Sequence, residues 1–467
     1  MTALPARLRH GPPLWLPGLV TIGVVAAVAV LGRAASLPPP SPAIVDAVLA
    51  VAMIAAAVLS PALGVIAFVA GALVNPIEFG TQTLTPIQFV VLAAPVLIAI
   101  CALDALRHDD LALWHVPAVR AALALAMAAV VAALVGNLPW FGFGRVAPAR
   151  AQLGAIFVYV VSAAVFMIGA DHLRDRRWLR RLVCVYLACG SVMIGGKLMV
   201  ELRDASYWLI RPVADGSLTW TWFAALGASQ ALFNRKLHWR WRLLLGLAVL
   251  GELYVGVQAE RSWLAGWVPA FVAVTVVASL GAPRVGIPIV VLGALVAALN
   301  LPRVMAQLSA GDNLYSLSTR LDAWSILLKM IAKNPIFGLG PANYYAVTPL
   351  FPIRGYTVNF SSHSTFVDLV AQTGIVGLAC FAWLVWTIVR AGWQTLARSP
   401  AGFTRAYVIG ALGGLVGTLA SGALGDWVFP FVYNITLAGL RSSLPAWIFL
   451  GGLVAVSREP PRRRKVK

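Results

Sequence analysis

The chain has 467 residues, 60% of them apolar and 11% charged, with 36 Lys and Arg against 17 Asp and Glu for a net charge of +19. Globular domains hold about 45–50% apolar and about 25% charged residues, so a soluble enzyme, a disulfide-stapled secreted domain and a disordered chain are excluded. This apolar content is enough for roughly fourteen bilayer spans of about 20 residues each, and the expected fold is all-α: a polytopic integral membrane protein of about 12–14 transmembrane helices.

In chain order, residues 14–33 follow Arg7 and Arg9 and read as an uncleaved first span rather than a signal peptide, because many spans follow. Further apolar windows, cut at Pro, Gly and charge, fall at 43–60, 61–76, 84–106, 116–136, 151–171, 179–200, 217–233, 241–258, 262–281 and 285–301. Three more follow at 364–389, 406–429 and 431–456. The pairs 43–60 with 61–76 and 241–258 with 262–281 are short and nearly abut, as bent or re-entrant pieces would. Cys101, Cys184, Cys189 and Cys380 lie in apolar runs without metal or disulfide spacing.

Basic clusters at Arg7/Arg9, Arg174–Arg181, Arg235–Arg242, Arg390–Arg405 and Arg458–Lys467 all fall on one side when every window is counted as a crossing. The positive-inside rule then puts both termini in the cytoplasm. The run Arg462–Lys465 reads as a topology and anionic-lipid signal, so membrane lipids are expected partners and nucleic acid is not. The expected divisions are an N-terminal bundle (1–301), a large extracytoplasmic loop (302–363), C-terminal helices (364–456) and a basic tail (457–467).

A loop of this length in a chain otherwise nearly free of loops is where function is sought. Thr319 and Asp322 have capping-box spacing, which predicts a helix opening near Ser318. Leu321, Trp324, Leu328 and Ile331 would share its apolar face, with Asp322, Ser325, Lys329 and Lys333 on another. Such a helix would lie on the outer membrane surface or pack over the bundle mouth, carrying Arg320 in its first turn. Asn334-Pro335 ends it, and Gly338-Leu339-Gly340-Pro341 turns the chain.

Several polar residues on the outer side are candidates for chemistry. Glu260-Arg261-Ser262 interrupts an apolar stretch, which is costly unless the charges pair locally or work. Ser361-Ser362-His363-Ser364 precedes the span at 364; His363 is either a bystander to ordinary capping or a neutral base beside an electropositive helix end. Asp368 and Asp426 lie near the same surface, to neutralise an arginine or to bind substrate hydroxyls, and Arg354 adds a further cation in the loop. Trp140, Phe141, Phe143, Trp208, Trp220 and Trp222 read as an interfacial aromatic belt, with a sugar platform the alternative.

No phosphate-binding P-loop, HExxH, GxSxG or zinc spacing is present. The first outer loop, Ser36–Pro42, has no carboxylate for a divalent cation, so no metal or other cofactor is expected, with Glu78 the only nearby stand-in. Two guanidinium groups, Arg261 and Arg320, match phosphate oxygens in a bidentate fork, and apolar walls suit a lipid tail. Together with His363 they point to a lipid-linked diphosphate handled at the outer face.

The stretches Ser318-Thr-Arg320-Leu-Asp-Ala-Trp324, Asn334-Pro-Ile-Phe-Gly-Leu-Gly340, His363-Ser-Thr-Phe-Val-Asp368 and Gln372-Thr-Gly374-Ile-Val-Gly377 resemble the O-antigen ligase and Wzy-type polymerase superfamily. Glu260-Arg261-Ser262 resembles its earlier Ser-Arg motif, with Glu in place of Ser, and His363-Ser364 stands where His-Asn is frequent. The resemblance implies a bacterial inner-membrane glycosyltransferase with its site facing the periplasm or cell exterior. It would transfer a glycan from undecaprenyl diphosphate to a saccharide acceptor, either a lipid-linked repeat or lipid A core, by an inverting, metal-independent route. Arg261 and Arg320 would hold the diphosphate and His363 would take the acceptor proton. Polymerase and ligase share this donor grip, with a slight lean to polymerase. A secondary transporter is the rival class, with Asp46 and Glu252 the main charges at mid-membrane.

Overall fold

The computed structural model describes residues 42–74, 78–79, 87–108, 111–142, 144–199, 201–203, 216–260, 263–300 and 312–458. The expected span at 14–33, most of the first outer loop, Arg261, Phe143, Trp208 and the Arg462–Lys465 run lie outside the described residues.

Helices dominate, as the composition requires. The first two, α1 (Pro42–Leu59) and α2 (Pro61–Val74), are parted only by Ser60 before a proline. A minimal antiparallel hairpin, β1 (Glu78–Phe79) and β2 (Ile87–Gln88), precedes α3 (Phe89–His108). Then follow α4 (Pro117–Gly136), α5 (Ala149–His172), α6 (Arg176–Leu198), α7 (Ser217–Phe233), α8 (Trp239–Gln258), α9 (Leu264–Gly281) and α10 (Pro283–Leu299). Each falls within a few residues of its apolar window. Among the described residues nine helices are long and apolar enough to cross a membrane, which defines an all-α polytopic membrane protein.

The C-terminal part forms the centre. Helix α13 (Thr365–Arg398) runs away from the polar segment, α14 (Phe403–Leu424) returns, and α15 (Leu440–Ser457) completes the group. Close approach is made possible by small residues: Gly413 and Gly417 of α14 face Val277 and Ala273 of α9, and Gly451 of α15 faces the Phe166 carbonyl of α5. Without a hydrophobic force between helices in lipid, this backbone proximity is what binds them. Helix α15 is buried along its whole length. By contrast α8 and α10 turn Leu243, Leu247, Leu292 and Leu299 outward, as lipid contact would require.

Three expectations are corrected. The window at 431–456 is not one helix: residues 425–439 form a loop, because Gly425 and Pro430 break the pattern, and α15 starts only at Leu440. Helix α11 (Asp312–Ile331) is already helical at Asp312, so Thr319 and Asp322 lie in its interior and form no capping box. Its buried face is Ala323, Leu327, Met330 and Ile331, with Trp324 half-buried, whereas Leu321 and Leu328 point outward. Trp220 and Trp222 belong to the bundle interior rather than a belt; Trp222 stacks on Phe449 and donates from Nε1 to Thr418 Oγ1 at 3.0 Å.

Candidate functional site

The polar segment is held to the bundle by a break in α13. Gly374, at φ 65° and ψ −165°, is a conformation open essentially to glycine alone. A helix interrupted there leaves carbonyls and N–H groups without intrahelical partners. The Asn334–Gly340 turn supplies them: Leu339 and Gly340 N–H donate to the Ala371 and Gln372 carbonyls, and Ile375 and Val376 N–H donate to the Pro335 and Ile336 carbonyls. The turn itself is shaped by Asn334, whose Nδ2 donates to the Gly338 carbonyl at 2.7 Å, and by positive φ at Gly338 and Gly340.

Beyond the turn, α12 (Asn343–Val347) packs on the 425–439 loop through two stacked aromatic pairs. Tyr344 stacks on Phe431 with centroids 4.9 Å apart, and Tyr345 on Tyr433 at 4.3 Å. Tyr344 is fully buried and its hydroxyl donates to Asp368 Oδ1 at 2.5 Å, which Ser362 Oγ also reaches at 2.7 Å. Burial above all, and then the Asp368 carboxylate, hold the Tyr344 phenol well above its usual range. Asp368 therefore braces the loop before α13; its Oδ2 is buried without a hydrogen-bond partner.

His363 sits in this loop at φ 50°, between buried Ser362 and Ser364. Ser364 occupies the N-cap position of α13 but makes no capping bond; its Oγ donates instead to the Gly422 carbonyl. Thr365 N–H and Oγ1 both donate to the Gly425 carbonyl, pinning the start of α13 to the start of the 425–439 loop. That loop brings Asp426 and Asn434 to His363. Asn434 Nδ2 donates to Asp426 Oδ1 at 2.7 Å and lies 3.0 Å from His363 Nδ1. Asp426 Oδ2 accepts from Phe431 N–H at 3.2 Å. An amide nitrogen only donates, so with Asp426 ionised, Nδ1 accepts and the neutral imidazole carries its hydrogen on Nε2.

Electrostatics follow from burial. Burial raises the Asp426 carboxyl to about 6, against the downward pull of Asn434 and the backbone N–H groups around it. His363 is pushed below its usual value by burial and then by the Arg320 charge, which keeps it neutral near pH 7. Arg320 is lowered by burial and partly restored by Asp426.

Arg320 reaches this group from α11. Its Nη1 donates to the carbonyl of Leu424, the last residue of α14, at 2.9 Å, where the helix dipole favours a cation. Its Nε is buried with no hydrogen-bond partner among the described residues. One turn along, Trp324 Nε1 donates to the Ser362 carbonyl at 2.8 Å, locking α11 against the His363 loop.

The structure thus gathers Arg320, His363 and Asp426 at one end of the bundle, with Asp368 as a brace beside them. Arg354 makes an exposed ion pair at 2.7 Å with Asp322, two residues beyond Arg320 on α11. Arg261 lies outside the described residues, but the preceding Glu260 accepts from Lys197 Nζ at 2.7 Å. Asn434 and Tyr344 are not among the residues expected from sequence. The breakers Gly425 and Pro430 are the signal that marks the loop carrying Asn434.

These features define a polytopic helical membrane protein with a buried polar site and one partly used guanidinium at an end of its bundle. Residues 218–382, about a third of the chain, match the family model described as O-antigen ligase, which supports a likeness to the O-antigen ligase/polymerase superfamily. The match runs from α7 into α13 and takes in Arg320, His363 and Asp368, but ends before Asp426 and Asn434. No curated protein matches the chain.

Proposed function

We propose that this chain transfers a glycan from a polyprenyl diphosphate, undecaprenyl diphosphate in bacteria, to an acceptor sugar hydroxyl at the outer face of the inner membrane, with inversion and without a metal. The observation that carries the reading is Arg320: a half-buried guanidinium whose buried Nε has no hydrogen-bond partner among the described residues, held beside a neutral histidine. The O-antigen ligase match supports the same class of reaction.

In this reading Arg320 and Arg261 hold the diphosphate and stabilise the negative charge that grows on it as the glycosidic bond breaks. His363 takes the proton of the attacking hydroxyl, a contribution of about 10²–10⁴-fold. It needs a lone pair on Nε2, and the relay provides one. When Asp426 carries a proton, the Asn434 amide turns over, its oxygen accepts from Asp426 and from His363 Nδ1–H, and Nε2 is left open. Asp368 keeps the loop in place, and Arg354, paired with Asp322 of α11, would add a further contact for anionic substrate. The diphosphate is already an activated leaving group, so no nucleotide is required.

Nothing in the donor grip separates a polymerase, which would pass the chain to a lipid-linked repeat, from a ligase, which would pass it to lipid A core. We lean to the polymerase. A deletion strain decides: single repeats accumulate on the carrier if a polymerase is lost, long chains if a ligase is lost. The enzymatic reading is tested in proteoliposomes given a synthetic lipid-diphosphate oligosaccharide. Product formation that vanishes in Arg320→Ala and His363→Ala supports it, and EDTA should leave turnover unchanged. Buried Glu252 in α8, with Oε2 unpartnered, favours a transporter instead; solute uptake indifferent to those two substitutions would establish that.

A further inference from the structure

Residues 136–142 and 144–146, at the end of α4 and beyond it, line an open cavity of about 410 Å³ together with Leu339, Asn343 and Val347. This lies within the range of small-ligand pockets, about 300–1,000 Å³. Its walls are fixed by their own hydrogen bonds. Asn343 accepts from Ala147 N–H at 3.0 Å and donates to the Gly136 and Leu339 carbonyls. Asn137 exchanges two bonds with Gln152, and Trp140 Nε1 donates to the Val135 carbonyl at 2.9 Å. Phe141 packs edge-on against Phe351 at 5.9 Å. The cavity is therefore preformed, and its wall amides are already committed.

Arg145 differs. It lines the cavity, is exposed, and has no hydrogen bond or ion pair among the described residues. A pocket with indole and phenyl walls and one uncommitted guanidinium is matched to a sugar ring bearing an anion: ring C–H faces pack on aromatic carbon, and a carboxylate takes the bidentate fork. The cavity is joined to the candidate site through α12. Asn343 in its wall is followed by Tyr344, whose hydroxyl binds Asp368 and lies 3.4 Å from the Ser362 N–H, one residue before His363.

We propose that this cavity is a saccharide subsite that receives a uronic acid residue of the glycan, with Arg145 reading the carboxylate and Trp140 supporting the ring. The assignment rests on the glycosyl-transfer reading for its biological meaning, but it is tested by binding alone. Detergent-purified full-length protein is titrated calorimetrically with tri-galacturonate and with the neutral galactose trimer. The acidic trimer should bind at least about tenfold more tightly, the worth of one charge-assisted contact. Arg145→Gln should erase that preference and leave the neutral trimer unchanged, while Trp140→Phe, which keeps an aromatic wall, should weaken both only slightly. His363→Ala should lose transfer and retain binding. Equal affinity for the two trimers, or a preference that survives Arg145→Gln, overturns the subsite. Failure of the unaltered protein to transfer, with binding intact, overturns the enzymatic reading and leaves the subsite standing.

Discussion

The two ends of the candidate site are built on opposite terms. At one end His363, Asn434 and Asp426 form a chain in which the amide serves both neighbours, within 2.7 and 3.0 Å. At the other end Arg320 gives one N–H to the Leu424 carbonyl and keeps its Nε unused in a buried position. An unused buried donor costs about 1–3 kcal/mol, and more when charged, so such a group is held ready for an incoming acceptor. The relay end is already satisfied and can only change state by moving a proton. One end is fitted to bind, the other to titrate.

That contrast is open to test, and the largest effect belongs to the binding end. Arg320→Ala should lower transfer by about 10²–10³-fold, as loss of one preorganised charge-stabilising donor does. Arg320→Lys should recover only a small part, because an ammonium lacks the planar fork; near-normal turnover of the lysine variant would remove the bidentate role. The titrating end predicts a pH profile. Protonated Asp426 opens Nε2, and its pKa is raised to about 6, so activity should fall as pH rises through 6, by up to about tenfold per unit. Asp426→Asn supplies a non-titrating N–H to the Asn434 oxygen and should flatten this alkaline limb; a limb that persists in that variant would discard the relay. Asn434→Leu should reduce kcat by about tenfold, the worth of one hydrogen bond, with KM for the donor little changed. A matching rise in KM would show that Asn434 touches substrate instead.

The smallest effect on chemistry, though not on folding, concerns the frame beneath both ends. In Gly374→Ala the new methyl would stand 2.2 Å from the Ile336 carbonyl oxygen at a φ of 65°. Strain of about 1–3 kcal/mol from the backbone alone adds to that clash, so thermal unfolding in detergent should shift down by several degrees. Gly355→Ala, also at positive φ but with nothing within 4 Å, should shift much less. Equal shifts would mean that the clash at Gly374 is relieved by local movement.

Much of this was legible in the residues, for physical reasons that also explain the omissions. Apolar windows locate the spans because lipid demands about 20 apolar residues in a run. Arg320, His363, Asp368 and Asp426 stand out because charge and imidazole are rare in such a chain. Asn434 did not, since a neutral amide carries no such signal and lies 71 residues from the histidine it binds. The start of α11 was misplaced because Thr319 and Asp322 have cap spacing inside a helix that begins earlier. The pairing of Arg354 with Asp322 is a fold-back of 32 residues that no local pattern discloses.

The junction of the Asn334–Gly340 turn with the broken α13 is made entirely of main chain. It asks for residues with the right torsion angles, not for side chains with reactive atoms. The neighbouring surfaces can therefore be redrawn while the splice remains the same. A motif of this kind certifies an architecture; what the protein binds must be sought in the walls around it.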